Sequence, residues 1–126
     1  MRRTPEFYEY DATELEVTKI VDGDTIDVRI TVTEDIGFGT ISTATTHVRL
    51  RLARINTPEL NRRAQRPAGL AAKTALEELL EPGLSMIRTY KTDAFHRYIA
   101  DLWTDEAATS LNDQLVTTGH AEYKNY

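Results

Sequence analysis

The chain has 126 residues, 40% hydrophobic and 28% charged, with a formal net charge of −5 and no cysteine. That length holds one domain around one core, and the missing thiols exclude disulfide scaffolds, thiolate metal centres and cysteine nucleophiles. The net negative charge argues against a protein that coats nucleic acid by bulk charge alone, and no apolar run approaches the ~18 residues of a membrane span.

Residues 1–12 read as an extended, polar N-terminal arm with several aromatics, and residues 13–126 as the domain proper. The opening MRRTPEFYEYDATELE contains no apolar stretch of the signal-peptide kind, so a soluble, cytoplasmic protein is expected. From Leu15 to Val21 apolar and polar residues alternate loosely, which predicts a first strand. In VDGDT an Asp-Gly pair then lies between two apolar runs, a common setting for a hairpin turn. Ile26, Val28, Ile30 and Val32 share one face, with Asp27, Arg29, Thr31 and Thr33 on the other, the pattern of a half-buried second strand. EDIGFGTISTAT, with two glycines and many small polar residues, reads as a long hairpin loop. Val48, Leu50 and Leu52 alternate with Arg49 and Arg51 in a third strand, which Pro58 of INTPE stops.

Residues 60–67 form a short basic loop. From Ala68 to Glu81 strong helix formers place Ala72, Leu76, Leu79 and Leu80 at helical spacing, and Pro82-Gly83 ends the helix. LSMIRTYKT and RYIADLW are β-rich runs joined by DAFH, a second hairpin. TSLNDQLVTTG starts with a capping pattern, Ser110 with Asp113, and ends at Gly119 as the residue beyond the helix. Three strands, a helix, two strands and a helix suit a mainly β protein with α segments. The expected architecture is a five-stranded closed barrel of the oligonucleotide-binding (OB) type, with one helix after strand three and one at the C-terminus.

Asp22 and Asp24 can serve only to shape the turn, or they can hold a hard divalent cation, which takes one or two carboxylates with carbonyl and water oxygens. Asn56 and Thr57 lie where the third strand ends and could add a side-chain and a backbone oxygen; as a turn residue before proline, Asn56 is equally accounted for. Glu59, after Pro58, is either a surface glutamate or a general base beside a hydrated cation. Arg51 leads into this cluster and Arg97 opens the fifth strand; guanidinium forks match phosphate oxygens and suit a phosphoryl group gaining charge. Between Arg49 and Arg66 lie six arginines and one acid, Glu59. That stretch is either a solvated charged face or a surface for a polyanion.

Taken together, VDGDT, RLARINTPE, DAFHRYIADLW and LNDQLVTTGHA resemble, in order and spacing, the successive motifs of the staphylococcal nuclease (thermonuclease) family, over roughly residues 15–123. The resemblance implies an OB barrel and a metal-dependent phosphodiesterase acting on DNA and RNA, Ca²⁺ being the usual ion and Mn²⁺ or Mg²⁺ the alternatives. It assigns Asp24 to the ion with Asp22 nearby, Thr57 as a backbone ligand and Asn56 at a further metal position. Arg51 and Arg97 become the catalytic arginines, and Glu59 the base that activates water. Arg49, Arg54, Arg62, Arg63 and Arg66 would hold the nucleic-acid backbone. Cleavage would leave a 3′-phosphate, on substrate that is single-stranded by analogy, from a monomer with no membrane partner. The sequence departs from the family where Asn56 replaces the usual aspartate, Phe95 a tyrosine, and His96 the glycine before the arginine. The Asn56 substitution, which removes one negative charge, also supports another reading: a non-catalytic nucleic-acid-binding module with a weakened metal site.

Overall fold

Alternation of apolar residues does decide the centre of the molecule: Ile26, Val28 and Ile30 are buried on one face and meet Leu50 and Leu52 from the neighbouring strand. A computed structural model describes residues 7–90, 98–104 and 108–124. It has strands β1 (Tyr8–Asp11), β2 (Leu15–Asp22), β3 (Thr25–Gly37), β4 (Thr40–Leu52), β5 (Ile55–Asn56), β6 (Leu84–Thr89), β7 (Tyr98–Thr104) and β8 (Glu122–Tyr123). Two helices, α1 (Arg66–Leu79) and α2 (Leu111–Thr117), complete it. The protein is therefore mainly β with two helices, and no helix among the described residues is long and apolar enough to cross a membrane.

Strand pairing departs from the expected five-stranded closed barrel. Hydrogen bonds join six strands in the order β1-β6-β7-β4-β3-β2, leaving β1 and β2 as the outer strands, while β5 and β8 form a separate two-stranded ladder. The sixth strand comes from the arm: Tyr8–Asp11 runs antiparallel to β6, from Tyr8 opposite Thr89 to Asp11 opposite Met86. A capping box at Asp11 and Glu14 then turns the chain into β2. β4 and β7 pair in parallel, through Leu50, Arg51 and Leu52.

The segment expected as a long loop is instead a continuation of the hairpin. β3 and β4 stay paired from Thr25–Arg51 out to Gly37–Thr40, around a tight turn in which Gly37, Phe38 and Gly39 all take positive φ. Cross-strand threonines such as Thr31 and Thr45, whose hydroxyls lie 3.2 Å apart, suit this ribbon. Both its faces are wet from residue 33 to 46, so no apolar alternation announces a strand there. Val32, expected on the buried face, is already partly exposed where the ribbon leaves the core.

The helices match their signals closely. In α1, Ala72 and Leu76 are buried, with Leu80 just past its end. Ser110 accepts the Asp113 N–H at 3.1 Å and caps α2. At the far end Gly119 (φ +84°) lets His120 donate to the Leu115 carbonyl, which closes the helix in a Schellman motif.

Arg54 is held more tightly than a surface arginine. It sits between β4 and β5 at φ 67°, a conformation that costs an L residue ~1–2 kcal/mol. Its guanidinium donates to Asp101 at 2.8 Å and to Asp113 at 3.0 Å, and its carbonyl accepts the Lys124 N–H at 2.7 Å. Asp101 is buried and also accepts the Tyr90 hydroxyl at 2.7 Å. Arg54→Ala is expected to lower stability by about 2 kcal/mol, the middle of the range for a hydrogen bond to a charged group, read by urea unfolding. Arg54→Gly should recover part of that loss, because glycine relieves the backbone.

Candidate nucleic-acid cleavage site

The turn between β2 and β3 is packed from behind by α1. A Cβ on Gly23 would lie 2.7 Å from the Ala72 Cβ and 3.1 Å from the Thr57 hydroxyl, so no side chain fits. Gly23 is not in the left-handed region, so close packing rather than turn geometry demands glycine. One helical turn away, a Cβ on Gly69 would lie 2.9 Å from the Pro58 carbonyl oxygen. Through these two contacts α1 sets the separation between the Asp22–Asp24 turn and the segment carrying Glu59.

Around that frame the polar groups interlock. The Asp24 carboxylate accepts the Thr57 N–H at 3.0 Å and the Thr25 hydroxyl at 3.2 Å, and it pairs with Arg51 at 3.1 Å. Arg51 is buried and also donates to the Asn56 amide oxygen at 3.1 Å and the Leu52 carbonyl at 3.2 Å. Asp22 accepts the Asp24 N–H at 3.1 Å. Glu59 stands at the rim, half exposed, pairing with Arg62 at 2.9 Å, while its N–H donates to Gln65 at 3.0 Å. A cleft of about 520 Å³ opens here, lined by Val21, Asp22, Asp24, Thr25, Arg51, Asn56, Thr57, Pro58, Glu59, Leu60, Asn61 and Lys124.

The two aspartates have opposite electrostatics. Burial, together with the neighbouring Asp24 carboxyl, pushes Asp22 up to about 6. Burial also pushes Asp24 upward, but a hydrogen bond from Asp22, the Arg51 charge and the Thr57 donors outweigh it and hold Asp24 below the usual value. Below about pH 6 the pair shares a proton that resides on Asp22. The raised Asp22 value means its proton stabilises the fold fully below 3.8, and that contribution is lost as pH rises through about 6. Asp24 works in reverse, contributing above its unfolded value and losing that contribution as pH falls. In chelator, Asp22→Asn should gain stability relative to wild type as pH rises through that window. A pH-independent difference in urea unfolding would show that Asp22 titrates normally.

The oxygen set can be tested against a cation. Among the described residues no three His, Cys, Asp or Glu side chains gather at one point. Two carboxylates with the Asn56 amide and Thr57 oxygens do match the small sets with which Ca²⁺ and Mg²⁺ are held, waters filling the rest. The Asn56 oxygen already accepts from Arg51 and offers one remaining lone pair.

Of the residues singled out by sequence, Asp22, Asp24, Arg51, Asn56, Thr57 and Glu59 share this one cleft. Arg97, Phe95 and His96 lie outside the described residues. Arg49 is exposed and paired with Asp27 at 2.7 Å, and Arg54 is engaged by Asp101 and Asp113. Arg62, Arg63 and Arg66 are exposed in the loop after Glu59 and the first turn of α1. Lys124 and Asn61 were not anticipated. Asn61 stands two residues past Glu59, a proximity the sequence could have flagged, whereas Lys124 reaches the cleft only through the β5–β8 ladder.

Compared with known families, residues 49–126 match the family model described as staphylococcal nuclease homologue, more than half of the chain. The match includes Arg51 and the INTPE segment but begins after the Asp22–Asp24 turn, which joins them in space. No curated protein matches the chain.

Proposed function

The chain belongs to the family of staphylococcal nuclease homologues, and from that premise we propose that it is a metal-dependent nuclease hydrolysing phosphodiester bonds of DNA or RNA. One observation carries the reading: a paired carboxylate turn, a buried arginine and a rim glutamate line the same cleft. Asp22, Asp24, the Thr57 carbonyl and the Asn56 amide would hold Ca²⁺, or Mn²⁺ or Mg²⁺ in its place. Such an ion supplies positive charge against the phosphodiester and makes water more acidic.

The remaining work falls to the protein. Glu59 accepts the proton of a water positioned in line with phosphorus. Arg51 donates to the phosphoryl oxygens as their charge grows. As the new P–O bond forms, the bond to the 5′ oxygen breaks and that oxygen takes up a proton from water to leave as a 5′-hydroxyl, the other product being a 3′-phosphate. Arg62, Arg63 and Arg66 flank the entrance as contacts for a single-stranded backbone. The second arginine of the family scheme, Arg97, belongs to this proposal through family resemblance.

Asn56 favours a second reading, because its neutral amide is already bound to Arg51 and the ion loses a carboxylate. On that reading the domain binds nucleic acid without cleaving it. Incubating heat-denatured DNA and RNA oligonucleotides with Ca²⁺, Mn²⁺, Mg²⁺ or chelator separates the two. Degradation in at least one metal and none in chelator is expected. Binding without degradation in every metal would replace the nuclease with the binding module, and equal degradation in chelator would remove the metal from the mechanism.

A further inference from the structure

Lys124 lines the cleft from just past a strand that lies outside the motifs carrying the resemblance. β8 pairs with β5 so that Ile55 faces Tyr123 and Asn56 faces Glu122. Its anchoring extends to both sides of the next residue's backbone attachment: the Tyr123 hydroxyl donates to Asp113 at 2.9 Å, and the Lys124 N–H donates to the Arg54 carbonyl at 2.7 Å. Arg54 is itself gripped by Asp101 and Asp113. Lys124 therefore enters the cleft from a pinned strand end, alongside Asp24, Arg51 and Glu59.

In the ladder Asn56 is neutral and faces Glu122, which does not line the cleft, whereas Lys124, exposed just past β8, lines it with a positive charge. Arg51, which also lines the cleft, is buried and pairs with Asp24, Asn56 and the Leu52 carbonyl. An ammonium is a compact point charge with three donors, well suited to a phosphate oxygen.

We propose that Lys124 is a substrate-binding residue that holds a backbone phosphate of a nucleic acid in the cleft. The inference rests on the nucleic-acid reading above, but not on catalysis. Lys124→Ala and Lys124→Arg are compared with wild type by fluorescence anisotropy on a labelled single-stranded oligonucleotide across a KCl series. Binding is measured in chelator and, in the Glu59→Gln background, in Ca²⁺.

Lys124→Ala is expected to weaken binding several-fold and to flatten the log–log salt dependence by about 0.7, the value for one phosphate contact on a single strand. Lys124→Arg should restore the slope. In cleavage assays the loss in Lys124→Ala should fall more on KM than on kcat. An unchanged slope, or a loss that Lys124→Arg does not restore and that follows a lowered Tm, overturns the assignment. If wild type binds with the Lys124-dependent slope but cleaves in no metal, the nuclease reading falls and the Lys124 assignment stands. If wild type binds no oligonucleotide in either condition, both fall.

Discussion

Arg51→Met is expected to cost about 3–5 kcal/mol of folding stability, the range for removing one partner of a buried ion pair. The side chains of Arg51 and Asp24 are only 6% and 10% exposed, so little water can replace the lost charge. Truncation also withdraws donors from the Asn56 amide and the Leu52 carbonyl. Urea unfolding in chelator measures the loss, and the double variant with Asp24→Asn should recover part of it, because the stranded carboxylate is then neutral. Arg51→Lys should fall between, keeping the charge without the fork that reaches Asp24 and Asn56 together. A loss below about 1 kcal/mol, the value of an exposed pair, would mean that the pair is hydrated in solution. If the proposed nuclease activity is present, Arg51→Met should also lower kcat by about 10²–10³, as for other preorganised donors to a developing anion.

Glu59→Gln separates chemistry from folding. Glu59 is half exposed, and its side chain pairs with Arg62 at the surface, so stability should change by no more than about 0.5 kcal/mol. If the proposed nuclease activity is present, its rate should fall by about 10²–10⁴, the contribution of a general base, with substrate binding largely retained. Rate measurements under saturating oligonucleotide, paired with thermal unfolding, check both halves. A variant that keeps wild-type kcat would transfer the base to another group in the cleft, whereas a destabilised variant would make Glu59 a structural residue.

The contrast between these two variants follows from where the chain places each residue. Both positions stand out in sequence, Arg51 in an alternating strand and Glu59 after a proline. Sequence alone reads Arg51 as a charge on the polar face of a strand and Glu59 as a surface glutamate or a general base, without separating a buried charge from an exposed one. Only the return of β2 and β3 beside the end of β4 buries Arg51 against Asp24, and only the loop after β5 leaves Glu59 at the rim.

Asn112 makes the same point in the core. It lies in α2, where the local signals mark only the Ser110 and Gly119 ends. In the structure it is fully buried: its amide donates to the carbonyls of Ala53 at 2.9 Å and Ala100 at 3.0 Å and accepts the Leu102 N–H at 3.1 Å. The Ala53 N–H still donates to the Ala100 carbonyl at 2.8 Å, but beyond that bond β4 and β7 no longer pair, which leaves the Ala53 carbonyl and the Leu102 N–H to the Asn112 amide. No local pattern could announce that vacancy in the ladder, and a buried amide fills it because an unpaired backbone group there would be costly.

By itself the sequence determined the elements whose signals are local. The alternation in Ile26–Ile30 and Val48–Leu52, the helical spacing of Ala72 and Leu76, and the Ser110 and Gly119 boundaries of α2 all act within a few residues. It also placed Asp24, Asn56, Thr57 and Glu59 at strand ends, where side chains can converge. Tertiary structure alone decided the open six-stranded order, the paired ribbon of residues 34–45, the need for Gly23 beneath α1, and the entry of Lys124 into the cleft. Each depends on which distant backbone groups and packed surfaces meet, and hydrophobic periodicity records burial along one segment without naming the segment that supplies it.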